Sequence, residues 1–130
     1  MAMLDTHPGG AVLDRQLLTR CIETCLECLQ ACTADADADL SEQMVADLVK
    51  CARLDLDCAD MCDTTARVLT RQTGYDRNLT RAVVQACVQA CKACADECER
   101  HAQMHEHCRV TAEVCRRCQQ VCEEVLAAIG

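Results

Sequence analysis

The sequence predicts an all-α fold, an antiparallel up-down-up-down four-helix bundle with a cysteine-lined core. Three observations predict it. Cysteines recur on heptad-like stripes in four separate segments. No segment alternates apolar and polar residues as a half-buried strand does. The connections between the stripes are short, which favours antiparallel neighbours.

The elements follow in chain order. Residues 1–11, which include His7-Pro8-Gly9-Gly10, read as a flexible N-terminal tail, and residues 12–130 as a single bundle domain. A helical pattern covers residues 12–33. The repetitive acidic run Ala34-Asp35-Ala36-Asp37-Ala38 reads as its frayed end and a turn. Asp39 with Glu42 has the form of a capping box opening a second helix. That helix can run to Thr73 and stop at Gly74. Asp76 is placed to cap a third helix that reaches about Arg100. Residues 101–106 contain no Gly or Pro; length places the next turn near Met104, because an unbroken helix to Ala128 is too long for a compact domain. The fourth helix ends near Ala128.

Composition narrows the function. The chain has 130 residues and 15 cysteines, an odd number that cannot pair completely within itself. The first ten residues lack a basic region, an apolar run and a cleavage-type segment. No apolar stretch approaches the roughly 20 residues of a membrane helix. The expectation is a reducing, cytoplasmic setting, where clustered thiols mean metal or redox chemistry more often than structural bridges. A net charge of −8 argues against nucleic acid and anionic membranes as partners. Tyr75 is the only aromatic residue and Ser41 the only serine, so the core needs small filler and a serine nucleophile has little support.

The stripes carry the chemistry. Cys21-Cys25-Cys28-Cys32 and Cys87-Cys91-Cys94-Cys98 share steps of four, three and four. Cys115-Cys118-Cys122 repeats the last two steps, with Cys108 seven residues before, and Cys51, Cys58 and Cys62 mark the second helix. At 3.6 residues per turn, such steps hold four side chains within about 60° of arc. Residues three and four apart have Cβ atoms roughly 5–6 Å apart, close enough for two thiolates to share one soft ion. A buried Cys is ordinarily a small core hydrophobe, but a core made of so many small side chains leaves voids unless something fills it. Thiolate-rich sites select Cu(I), Zn(II) or iron–sulfur clusters. Zinc and iron–sulfur ligands usually come from loop motifs. A continuous tube within helices suits multiple Cu(I) ions better. A zinc or iron–sulfur module remains an alternative, as does a thiol redox protein using Cys25-x-x-Cys28, Cys91-x-x-Cys94 or Cys115-x-x-Cys118.

Stacking the helices gives layers. Cys21, Cys62, Cys87 and Cys122 form the first, and Cys25, Cys58, Cys91 and Cys118 the second. Cys28, Cys94 and Cys115 share the third with Leu54; Cys32, Cys51 and Cys98 share the fourth with Thr111; Cys108 lies beyond. One end gathers Leu17, Leu69, Tyr75, Leu79, Val125 and Leu126 as a plug. The other gathers Met44, His101, Met104, His105 and His107, weaker copper ligands suited to a mouth that hands ions inward. His7 and Met61 fall off the stripes and read as tail and packing.

These stripes, with His105-Glu106-His107-Cys108-Arg109 and Cys115-Arg116-Arg117-Cys118, resemble the bacterial cytosolic copper storage protein family of cysteine-rich four-helix bundles. The resemblance covers residues 20–125. It implies non-enzymatic Cu(I) storage inside the bundle, a homotetramer and a His/Met-bearing entrance. The partners it implies are Cu(I) ions and a copper-delivery protein or small-molecule thiol. Leu54 and Thr111 depart from a fully lined tube.

Overall fold

The computed structural model describes every residue from Met1 to Gly130. It is all-helical, with no strand. Helix α1 spans Ala2–Asp5, α2 Arg15–Ser41, α3 Val49–Thr70, α4 Arg77–His101 and α5 Glu106–Ile129; a 3-10 turn, Val45–Leu48, precedes α3. Helix α2 packs on α3 and α5, and α4 packs on the same two helices. The four long helices therefore surround one core.

Local chemistry sets most boundaries. Asp14 caps α2 through a 2.9 Å bond that its carboxylate accepts from the Gln16 N–H. Asp76 caps α4 in the same way, accepting from the Leu79 N–H at 2.9 Å. Gly74 adopts a φ of +63°, which a side chain would strain, so the α3–α4 connection turns there.

Three expectations need correction. The acidic run 34–38 is not a turn: α2 continues through it to Ser41. Asp35, Ala36 and Asp39 face the core, and alanine is the best helix former, so nothing there breaks the helix. Asp39 consequently opens no capping box; α3 instead begins at Val49 after the 3-10 turn. The segment before Val12 carries the short helix α1, whose Leu4 is buried in the common core. The Met1 ammonium donates to Thr19 Oγ1 at 3.2 Å, and the Val12 N–H donates to Gln72 Oε1 at 3.1 Å.

The inward stripe of each helix ends in apolar residues on one side. Leu18, Leu69, Val84 and Val125 continue the cysteine stripes there and are almost fully buried. They seal that end more than the expected Leu79, which is largely exposed. Because this apolar layer packs without metal, the reduced apo protein should be folded. We predict a helical circular dichroism spectrum for it, a cooperative urea transition, and a loss of about 2–5 kcal/mol for Leu18→Ala.

Candidate metal centre

All 15 cysteines are free and buried, and none exposes any surface. Their stripe spacing turns each Sγ toward the space between the helices. Cys21 lies 3.8 Å from Cys122, and Cys122 lies 3.9 Å from Cys87. Cys62 lies 3.9 Å from Cys87, from Cys91 and from Cys118. Cys25 meets Cys118, and Cys58 meets Cys91, each at 3.7 Å. Cys28 contacts Cys32, Cys58 and Cys115 at 3.8 Å. Cys32 meets Cys115 at 3.6 Å and Cys94 at 3.9 Å; Cys94 meets Cys98 at 3.9 Å, and Cys98 meets Cys51 at 3.8 Å. Every cysteine except Cys108 thus belongs to one unbroken network. The first layer expected from sequence pairs as expected, while later layers interleave, as the Cys28–Cys58 contact shows. Several four-thiol groups converge closely enough to hold a metal ion, such as Cys25, Cys87, Cys118 and Cys122.

The network polarises its own thiols. Hydrogen bonds from Cys122 and Cys25 draw Cys21 down to about 5. Bonds from Cys51 and Cys94 do the same for Cys98, also to about 5. Burial pushes the Cys108 thiol up, aided by the nearby Asp35 and Asp39.

The sequence reading missed a buried acidic layer. Asp35, Asp39 and Asp55 are completely or almost completely buried. The third-layer position assigned to Leu54 belongs to Asp55: Leu54 is only partly buried, while Asp55 Oδ1 accepts from the Cys94 thiol at 3.0 Å. Cys51 donates to Asp35 Oδ2 at 3.6 Å, and Cys98 Sγ lies 3.5 Å from the same oxygen. The signal was present, because Cys51-Asp55-Cys58-Cys62 has steps of four, three and four, and Cys32-Asp35-Asp39 continues the α2 stripe. Thr111 does occupy the inward α5 position but turns its hydroxyl away, donating to the His107 carbonyl at 2.8 Å.

Three of the four histidines gather at this acidic end, each beside a carboxylate. His101 Nε2 lies 3.0 Å from Glu97 Oε2, His105 Nδ1 2.5 Å from Glu42 Oε2, and His107 Nδ1 2.5 Å from Asp35 Oδ1. The His105 and His107 rings stack with centroids 5.5 Å apart. Met44 and Met104 are exposed at the neighbouring connections.

Burial and the adjoining Asp35 carboxylate hold the Asp55 proton up to about 11. In Asp35 the cost of burial is outweighed by hydrogen bonds from Asp55 and His107, so its carboxyl is held below the usual range. Asp55 therefore keeps a proton that an unfolded aspartate, with a pKa of about 3.9, loses. Its folded-state pKa is raised, so its contribution to stability falls as pH rises between those two values. Replacing it with the always-neutral amide should remove that loss. We predict that the stability of Asp55→Asn relative to the parent, measured by urea unfolding of apo protein, rises by about 1.4 kcal/mol per pH unit from pH 5 to 8. A difference independent of pH would contradict the assignment.

Three comparisons bear on this geometry. The copper storage protein family, Csp, matches residues 14–127. The uncharacterized cysteine-rich protein YhjQ of Bacillus subtilis is 34% identical over 107 residues, covering 82% of this chain and 94% of that protein. The copper storage protein Ccsp of Streptomyces lividans, in a form loaded with 10 copper equivalents, superposes with a TM-score of 0.96 at 62% identity, covering 98% of this chain and 97% of that one. A five-copper form, described as a cytosolic copper storage protein of the same organism, gives a TM-score of 0.88 at 66% identity over 89% of this chain and 97% of its own. With the family matched along nearly the whole thiol-lined core, this chain belongs to the copper storage proteins.

Proposed function

We propose that this chain stores many Cu(I) ions on its core thiolates, inside an antiparallel up-down-up-down four-helix bundle spanning residues 12–130. One observation carries the reading: an unbroken array of buried Sγ atoms 3.6–4.0 Å apart. At metal–thiolate bonds of about 2.3 Å, three sulfurs in a plane around one ion sit about 4.0 Å apart. The array matches that spacing, and most of its sulfurs touch more than one neighbour, so they can bridge ions. The antiparallel arrangement is supported by the contacts, since Cys21, Cys25 and Cys28 meet Cys122, Cys118 and Cys115 in descending order.

The chemistry is exchange, not turnover. Each ion entering between two thiols displaces their protons and leaves a Cu(I)–thiolate unit. A thiol redox enzyme needs an accessible low-pKa thiolate, whereas every cysteine here is enclosed. The proposed storage ligands are Cys21, Cys25, Cys28, Cys32, Cys51, Cys58, Cys62, Cys87, Cys91, Cys94, Cys98, Cys108, Cys115, Cys118 and Cys122. The mouth comprises Met44, His101, Met104, His105 and His107; His107 beside Cys108, with His105 stacked on it, supports it. A copper-delivery protein or a small-molecule thiol brings the ion there. The setting is the cytosol, as described for the Streptomyces lividans protein. The assembly is a homotetramer, as the family resemblance implies, and Leu26, Leu40, Val49 and Leu56 are exposed on α2 and α3 for contact between copies.

Anaerobic titration with Cu(I) against a competing chelator tests storage. We predict more than one Cu(I) for every two cysteines at saturation; a titration that stops at a few isolated four-coordinate ions contradicts it. Loading tests the mouth. The variant His101→Ala, Met104→Ala, His107→Ala should load more slowly under limiting Cu(I) while retaining most of its capacity. Unchanged loading would displace the mouth, and lost capacity would make these residues storage ligands.

A further inference from the structure

At the closed end of the tube the α3 stripe reads Cys58, Cys62, Thr65, Leu69, in steps of four, three and four. Thr65 therefore stands where the thiols meet the apolar seal. Cys62 shares the last thiol layer with Cys87, Cys122 and Cys21, linked in that order at 3.9, 3.9 and 3.8 Å. Three residues beyond those cysteines, on the other helices, come Leu18, Val84 and Val125. Thr65 is the polar member of that sealing layer, and it is 0% exposed.

Its hydroxyl has no hydrogen-bond partner. Threonine in these helices ordinarily finds one close by: Thr24, Thr33, Thr70, Thr80 and Thr111 each donate to the carbonyl four residues back, at 2.6–2.8 Å. Thr111, which also faces inward, satisfies itself in this way, whereas Thr65 leaves its donor free. Buried hydroxyls are ordinarily paired. What Thr65 lacks is an acceptor, and the sulfurs of the adjoining layer become acceptors when metal arrives. A thiol sulfur accepts weakly. A thiolate is a strong acceptor, because hydrogen bonds to ionised groups are roughly twice as strong as neutral ones. Cu(I) makes that conversion as it displaces the thiol protons.

We propose that Thr65 is a positioning residue for copper storage: its hydroxyl donates to a metal-bound thiolate of the Cys21, Cys62, Cys87 and Cys122 layer and so favours the loaded protein over the empty one. Cys62, one helical turn back on the same stripe, is the nearest of the four along the chain. Leu18, Val84 and Val125 offer the layer no side-chain donor, so the hydroxyl has no substitute from that side. A donor that is unpaired when the tube is empty and paired when it is full contributes to binding and not to apo folding. Hydrogen bonds of this outer kind orient metal ligands and tune their strength. The role rests on the reading of the core as a Cu(I) store.

Two variants test it. Thr65→Val keeps the shape and removes the hydroxyl, and Thr65→Ser keeps the hydroxyl. The reduced apo proteins are compared by urea unfolding, and the Cu(I)-loaded proteins by anaerobic competition with a Cu(I) chelator. Apo Thr65→Val should unfold at a urea midpoint no lower than the parent's, yet once loaded it should release part of its copper at about 10–100-fold less chelator. Thr65→Ser should follow the parent in the competition. Copper held by Thr65→Val as tightly as by the parent overturns the proposal. So does Thr65→Ser releasing copper as readily as Thr65→Val, since packing of the methyl group would then be what matters. A lowered urea midpoint for apo Thr65→Val overturns it as well, because the hydroxyl would already be paired in the empty protein. A parent that takes up only a few Cu(I) ions overturns storage, and this role falls with it; a fully loading parent matched by Thr65→Val overturns the role of Thr65 alone.

Discussion

Everything in this molecule depends on the inward alignment of side chains spaced by alternating steps of three and four. That alignment places a row of thiols on each long helix, interrupted by Asp55 on α3 and Thr111 on α5, and hides every Sγ from water. A buried thiol costs little, because cysteine packs as a small hydrophobe and its S–H needs only a weak acceptor. A buried thiolate costs far more unless a cation neutralises it. The same core is therefore tolerable when protonated and poised to trade protons for soft metal. Neighbouring sulfurs from different helices make the exchange cooperative in space, since most of them can serve more than one ion.

The alignment also explains why the two ends differ. Where the stripe continues into Leu18, Leu69, Val84 and Val125, the tube closes on apolar packing that needs no metal. Where it continues into Asp35, Asp39, Asp55 and His101, the helices present carboxylates and imidazoles instead. A hydrated ion can exchange its water for such donors, but not for methyl groups. The fold thus carries polarity along its axis without any change in helical geometry. The buried acids are the costly part of this arrangement. They are kept by sharing protons: Asp55 stays protonated beside ionised Asp35, and the thiols of Cys51 and Cys94 donate to the pair.

The cysteine stripes were legible because cysteine is rare and its spacing is diagnostic. They revealed four long helices and which face of each turns inward. The carboxylates on the same stripes were not legible, because acidic residues normally mark a solvated face. Ala34-Asp35-Ala36-Asp37-Ala38 looked like a turn for that reason, although its alanines favour helix and Asp35 keeps the period of Cys28 and Cys32. Asp55 was passed over in favour of the apolar Leu54, one residue out of phase. Reading periodicity before polarity would have recovered both. The role of α1 could not be read at all: burial of Leu4 depends on a tertiary contact that leaves no periodic trace in so short a segment.

The central claim is that copper sits as bridged Cu(I)–thiolate clusters within the tube. Copper K-edge X-ray absorption on the fully loaded protein tests it most directly. The account predicts a Cu(I) edge, a first shell of sulfur, and a distinct shell of neighbouring copper atoms. A first shell dominated by nitrogen or oxygen, or sulfur-bound ions with no copper neighbour, would contradict it.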